Sequence, residues 1–381
     1  MDGILETKDL YFYYAGSTSG ALEHVNIKIT KGKKTAILGS NGAGKSTLFY
    51  NFNGVYSPSL GEVLYEGKPI KYSKKALRSL RSDVAVVLQN PDDQIFCSTV
   101  GEDVAFGPRN LGLSEKDVAE RVELAMFQTG ITMLKDKGTL QLSYGQRKRL
   151  ALAGAIAMKP KVLIMDEPTA GLDPQMANEV MEMANQLHHL GTTVVISTHD
   201  VNLAYGWADE INVLRMSKII YSGTSEGFYS DIKLVHTAGL MAPAMFSINK
   251  NHCDMNGVEE APFPTSLPEL VSKMSSERPK SGMMLILSIT DGLTEDEMLK
   301  ATGPLGGPRV GVYGTAARKA VFRGKLHADY VFNGIDNCLL ECVNGKNSVL
   351  CCEGRMVDIV TDRIERLKQF GTSVGYEIRE V

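Results

Sequence analysis

The chain has 381 residues, 43% hydrophobic and 22% charged, so it can bury more than one core, and its length predicts two or three domains. A formal net charge of −3 excludes a global basic field for nucleic acid or anionic lipid. No run approaches the roughly 18 apolar residues of a spanning helix, and Met1-Asp2-Gly3-Ile4-Leu5-Glu6 lacks the start of a secretory signal. A cytosolic protein is expected, with membrane contact only through a protein partner.

Residues 4–12 and 25–29 alternate as early strands do, with turn residues Gly16 to Gly20 between them. Thr35-Ala36-Ile37-Leu38 is a short apolar run ending in glycine, and a helix-compatible stretch follows from Lys45. Apolar spacing predicts helices over 114–130 and 143–158, with Ser114 at the start of the first. Val162 to Met165 and Thr193 to Ser197 read as buried strands, each preceded by a helical stretch. Alternating strand and helix predict a parallel sheet covered on both faces. Between 246 and 281, Pro262, Pro264, Pro268 and Pro279 sit among polar residues, which predicts a linker. Strands are expected at Met283 to Ile289, Val310 to Tyr313, Tyr330 to Phe332, Val349 to Cys352 and Val374 to Ile378. Helical stretches at 295–301, 315–325 and 356–370 alternate with them, so 282–381 is expected to be a small α/β domain.

Gly39-Ser40-Asn41-Gly42-Ala43-Gly44-Lys45-Ser46-Thr47 fits the phosphate loop G-x-x-x-x-G-K-[ST] in full. The glycines let successive backbone N–H groups wrap phosphates, and the following helix presents its positive end. Lys45 is suited to the β- and γ-phosphates, and the Ser46 hydroxyl to Mg²⁺. Val162-Leu163-Ile164-Met165-Asp166-Glu167 is an apolar strand ending in two carboxylates. Asp166 at the strand end suits the Mg²⁺ shell, which leaves Glu167 to polarise the attacking water as general base.

Leu142-Ser143-Tyr144-Gly145-Gln146, followed by Arg147-Lys148-Arg149 and a helix, resembles the signature motif of the ATP-binding cassette (ABC) proteins. The order phosphate loop, signature, acidic strand is that family's. Gln89 falls at the glutamine loop, Ala170-Gly171-Leu172-Asp173 at the D-loop, and His199 of Ser197-Thr198-His199-Asp200 at the switch. Tyr14 matches the aromatic that stacks on adenine, although a shift of one residue would nominate Tyr13. The resemblance covers about residues 4–245. It implies an α/β P-loop ATPase cassette over 1–245, a mixed sheet core with a helical subdomain at about 90–158. It also implies ATP and Mg²⁺ as cofactors, Ser46, Gln89 and Asp166 around the metal, and His199 acting with Glu167. Two such subunits pair head to tail, a homodimer being expected here, so that Ser143, Gly145 and Gln146 act on the partner's ATP. Tyr144 stands where the commonest signature has glycine, which reduces local backbone freedom.

A narrower resemblance lies in Gln89-Asn90-Pro91-Asp92-Asp93-Gln94-Ile95-Phe96 and in Thr99-Val100-Gly101-Glu102-Asp103-Val104-Ala105-Phe106-Gly107-Pro108. Both stretches are similar to the cobalt and nickel importers of the energy-coupling-factor group, whose vitamin importers share them. The implied function is an ATPase energising a membrane importer, for cobalt or nickel first and a vitamin second, at the cytoplasmic face of the membrane. Ile95, Phe96, Val104 and Phe106 are suited to a groove for a helix of the transmembrane permease. A non-transport ABC ATPase would carry a long coiled coil between loop and signature, or a second cassette. Only residues 48–142 separate Thr47 from Ser143, and no second phosphate loop occurs. A GTP switch would need an N-K-x-D element, which Asn249-Lys250-Asn251 does not supply.

The six cysteines fit no small-domain disulfide framework, so free thiols are expected. Cys338 and Cys342 share a face if 336–343 is helical. Adjacent Cys351 and Cys352 point to opposite faces of a strand, so packing is the leading expectation and a metal site the alternative.

Overall fold

The computed structural model describes residues 2–275, 281–289, 293–302 and 307–381. The chain divides into two compact units, Met1–Ala242 and Pro243–Val381.

In the first unit, the run Val162–Asp166 and the run Thr193–Thr198 are buried at every position. Strands of that kind belong inside a sheet covered on both faces. They form the centre of a six-stranded sheet in the order Lys218–Gly223, Glu210–Arg215, Lys34–Leu38, Thr193–Thr198, Val162–Asp166, Val84–Val87. All neighbours are parallel except the outermost pair, 218–223 with 210–215, which is antiparallel. A second sheet, Leu22–Thr30, Gly3–Phe12, Leu60–Tyr65 and Lys68–Pro69, is antiparallel throughout. Leu48, Phe49 and Phe52 of the Lys45–Phe52 helix share one core with residues of both sheets, among them Leu5, Val25, Ile37 and Val195. The core sheet is therefore mixed in this unit, as the family resemblance implies.

Three helices, Val100–Asn110, Glu115–Gln128 and Tyr144–Ala157, pack on one another and make the expected helical part. Their starts are legible in the sequence. Thr99 with Glu102, and Ser143 with Gln146, each form a reciprocal capping box, and Ser114 accepts from the Asp117 N–H at 3.2 Å.

The second unit holds a four-stranded parallel sheet in the order Arg309–Tyr313, Ser348–Glu353, Met283–Ile289, Gly375–Glu380. The expected strand at Tyr330 to Phe332 is reduced to one bridge between Tyr330 and Gly311. Asn333, at a left-handed φ of 50°, turns the chain at once into the Gly334–Val343 helix. The segment 246–281, expected as a linker, instead carries helices Ala244–Asn256 and Leu267–Met274, and the latter packs on Gly334–Val343. Its prolines do not interrupt these helices. Pro268 lies in the first turn, where a missing N–H costs nothing, while Pro262 and Pro264 fall between the helices. Pro279 lies outside the described residues. Among the described residues, no helix is long and apolar enough to cross a membrane.

Candidate nucleotide site

Strand register builds the site. Leu38 pairs with Thr198, and Asp166 pairs with Ser197, so three parallel strands end side by side. The phosphate loop, Glu167 and His199 therefore leave the sheet at one carboxyl edge, where ligands bind in open α/β sheets.

The loop needs its glycines. Gly44, at φ 108°, would set a Cβ 2.5 Å from the Ala21 carbonyl oxygen, so no side chain fits. Lys45 opens the helix and is only 6% exposed. Its Nζ donates to the Gly39 and Ser40 carbonyls at 2.7 and 3.3 Å and lies 3.2 Å from Glu167 Oε1. The cation is thus held in the cradle, paired with the carboxylate.

Asp166 accepts from two hydroxyls, Ser46 Oγ on one oxygen and Ser197 Oγ on the other. Ser197 Oγ also accepts from the Glu167 N–H at 2.9 Å. Glu167 itself sits in the left-handed region at φ 45°, and its Oε2 is 2.9 Å from His199 Nδ1. Its side chain is 5% exposed, whereas that of His199 is 62% exposed, so the histidine can turn while the carboxylate stays fixed. A single hydrogen-bond and ion-pair network joins Lys45, Ser46, Asp166, Ser197, Glu167 and His199. Ser40, Asn41, Gly42 and Ala43 complete the loop.

Tyr14 reaches Thr47 Oγ1 with its hydroxyl at 2.8 Å and remains 45% exposed. Its ring meets Phe12 and Tyr56 edge to face, with centroids 5.2 and 5.9 Å apart. The backbone N–H of Tyr13 donates to Ser59 Oγ at 3.1 Å.

Gln89, Ser143, Gly145, Gln146 and Asp173 lie outside that network. Gln89 is exposed, and its carbonyl accepts from the Tyr144 hydroxyl at 3.4 Å. Ser143 caps the Tyr144–Ala157 helix: its Oγ accepts from the Gln146 N–H at 3.3 Å, while Gln146 Oε1 accepts from the Ser143 N–H at 3.1 Å. Asp173 caps the Pro174–His189 helix through the Met176 N–H at 2.8 Å. A Cβ on Gly145 would come within 2.2 Å of Met176 Sδ, so the signature glycine lies against the start of that helix. Tyr144 is the first residue of its helix and is absent from the positive-φ residues, so replacing glycine there costs no backbone strain. Its ring lies beside D-loop Gly171.

Two participants carry weaker sequence signals. Ser197 is a polar residue in a β-branched run, and Lys148 is the middle of three consecutive cations. Successive helical residues point about 100° apart, so three cations in a row cannot all share the solvent face. Arg147 pairs with Asp92 at 2.7 Å and Arg149 pairs with Glu179, while Lys148 turns inward and is 5% exposed. Burial pushes its ammonium down to about 8, against the pull of Asp166 and Glu167.

In the segment after Gln89, Val104 is core, whereas Phe96 and Phe106 are 63% and 44% exposed and stack edge to face at 4.4 Å. Asp103 Oδ1 fixes the loop by accepting from the Phe96 and Cys97 N–H groups at 3.1 and 3.0 Å.

The family model for ABC transporters matches residues 22–170. The energy-coupling factor transporter ATP-binding protein EcfA of Methanocaldococcus jannaschii is 50% identical over 240 residues, 63% of this chain and 86% of that protein. The chain belongs to the ABC transporter ATP-binding proteins of the energy-coupling factor type. EcfA2 of Methanospirillum hungatei is 35% identical over 376 residues, 97% of this chain and 94% of its own, so this similarity also takes in the second unit. Among solved structures, cbiO1 of Clostridium perfringens, part of the ABC transporter complex cbiONQ, has a TM-score of 0.55 at 43% identity. It covers 62% of this chain and 94% of its own. The dimeric post-hydrolysis cassette MJ0796 bound to ADP and Pi has a TM-score of 0.52 at 27% identity, over 58% of this chain and 98% of its own. As an energy-coupling factor cassette, this chain is an ATP-binding ATPase of ATP-driven transport.

Proposed function

We propose that two copies of this chain close head to tail on ATP, that Glu167 activates the hydrolytic water, and that the motion drives a cobalt or nickel importer. The observation that carries the catalytic part is the fixed Glu167 carboxylate between Lys45 and His199. Lys45, Ser40 to Gly44 and the helix start hold the β- and γ-phosphates, with Gly39 opening the cradle and Thr47 closing it. Ser46 and Asp166 already share a hydrogen bond and offer hydroxyl and carboxylate oxygens, the hard donors that Mg²⁺ takes, and Gln89 completes the set from the adjoining loop. Held by those oxygens, the metal would supply positive charge that offsets the charge developing on the phosphates. Glu167, next in the chain to Asp166 and held between Lys45 and His199, takes the proton of the water. His199, exposed and on Glu167, orients toward the γ-phosphate, and Tyr14 offers its ring to adenine.

Ser143 and Gln146 meet the partner's nucleotide with a helix N-terminus whose N-cap hydroxyl is on the surface, and Gly145 lets Asp173 and its helix approach closely. The dimeric relative bound to ADP and Pi supports that arrangement. The exposed Phe96–Phe106 pair is the surface for a permease helix, and the cbiONQ relative supports a multisubunit complex. Purifying the full-length chain from its native membranes and reconstituting what copurifies into vesicles tests the transport reading. ATP-dependent uptake of radiolabelled Co²⁺ or Ni²⁺ is expected. Uptake of a vitamin instead would overturn the metal assignment, and copurification of no integral membrane protein would count against transport.

A further inference from the structure

Lys148 is buried on the helix that begins at Ser143, and among the described residues it forms no ion pair. Its Nζ donates to the carbonyls of Glu167 at 3.0 Å and of Pro168 at 3.4 Å. A buried ammonium satisfied by two carbonyls rather than a carboxylate is costly to keep, and packing alone would favour an apolar side chain. The carbonyls it binds belong to a strained turn. Glu167 has a φ of 45°, a conformation disfavoured for any residue with a Cβ, and such outliers persist where the surroundings over-determine them. Three donor–acceptor contacts hold that peptide: the Glu167 N–H on Ser197 Oγ, and the Glu167 carbonyl on both the Ala170 N–H at 3.1 Å and Lys148 Nζ. Two of these come from the sheet and the turn itself. Lys148 alone comes from the signature helix.

We propose that Lys148 is a positioning residue that fixes the Glu167 peptide, and so the direction of its carboxylate, from the helix capped by Ser143. Ser143 faces one nucleotide and Glu167 another in the head-to-tail dimer, so Lys148 links the engagement of the partner's ATP to the readiness of the chain's own base. The Tyr144 ring, 5.9 Å from Lys148 Nζ and against Gly171, packs beside the same link. This inference rests on Glu167 as the base and on Ser143 acting across the dimer.

The test compares Lys148→Met, Lys148→Arg and Glu167→Gln in the full chain, each first shown to melt and to bind ATP like the parent. Lys148→Gln replaces the methionine variant if that one fails to fold. Misplacing a catalytic group by a fraction of an ångström to an ångström costs up to about a hundredfold, so Lys148→Met should lose roughly ten- to a hundredfold in kcat. Its KM for ATP should stay within about threefold of the parent, because the phosphate contacts remain. Lys148→Arg, which still donates to two carbonyls, should recover most of the loss. A Lys148→Met chain with parental kcat beside an inactive Glu167→Gln chain would overturn the role of Lys148 alone. Equal losses in the methionine and arginine variants would reduce it to a packing defect and also overturn it. Turnover near the parent rate in Glu167→Gln would instead overturn the base assignment beneath it.

Discussion

Replacing Lys45 by alanine removes the only side-chain cation set in the phosphate loop, and the size of the effect follows from what Lys45 touches before ATP arrives. Its Nζ has two carbonyl acceptors and lies 3.2 Å from Glu167 Oε1. A charge-assisted hydrogen bond contributes about 1.5–3 kcal/mol. ATP exchanges the loop and carboxylate contacts for phosphate oxygens rather than adding contacts to a bare cation, so the lower part of that range applies. About 1.5–2 kcal/mol corresponds to roughly a ten- to thirtyfold rise in Kd for ATP. AMP, which lacks the β- and γ-phosphates, should bind the variant and the parent alike. The substitution also leaves the buried Glu167 carboxylate with His199 as its remaining partner, so thermal melting of the free protein should fall as well. Calorimetric titration of ATP and AMP, run below the variant's melting range, separates the two effects. Unchanged ATP affinity, or an equal loss for AMP, would refute the assignment of Lys45 to the distal phosphates.

Phe96→Asp should leave the ATPase activity of the isolated chain intact and release it from its membrane partner, because this ring is 63% exposed and its removal opens no core. Loss of folding would show that it packs internally. The four late cysteines should give no cobalt–thiolate absorption band and should react with thiol reagents only on unfolding. Each is fully buried, and burial pushes their thiols up, Cys342 to about 11 and Cys351 and Cys352 to about 12. Cys342 Sγ already shares a hydrogen bond with Ser348 Oγ at 3.1 Å, and Cys338 donates to the Val349 carbonyl. A charge-transfer band on Co²⁺ addition would overturn the packing reading.

The parts of this protein that were legible in its sequence are those where local chemistry dictates structure. The phosphate loop requires glycine types at fixed spacing, the runs 162–166 and 193–198 are too apolar for anything but a covered sheet, and Ser143-x-x-Gln146 writes its own helix start. What stayed hidden depends on tertiary contact. Nothing local says that Lys148 turns inward while its two basic neighbours find carboxylates, or that Ser197 bridges Asp166 and the Glu167 peptide. The stretch 246–281 misled for a related reason. Its prolines mark the joints between helices rather than an extended tether, and the Leu267–Met274 helix buries Leu270 against its own unit. Tyr330 likewise has strand propensity, yet the left-handed Asn333 ends the segment before a ladder can form.

Glu167→Gln tests the central claim most directly. The amide keeps the shape of the side chain and leaves Ser46 and Asp166 untouched; it exchanges the ion pair with Lys45 for a neutral contact, and it cannot take a proton from water. A general base contributes about a hundred- to ten-thousandfold, so turnover should fall by at least about a hundredfold while ATP still binds. Size-exclusion chromatography in ATP with Mg²⁺ should then show an accumulated dimer holding unhydrolysed nucleotide. A chain that remains monomeric and hydrolyses ATP at the parent rate would contradict both the base and the head-to-tail mechanism.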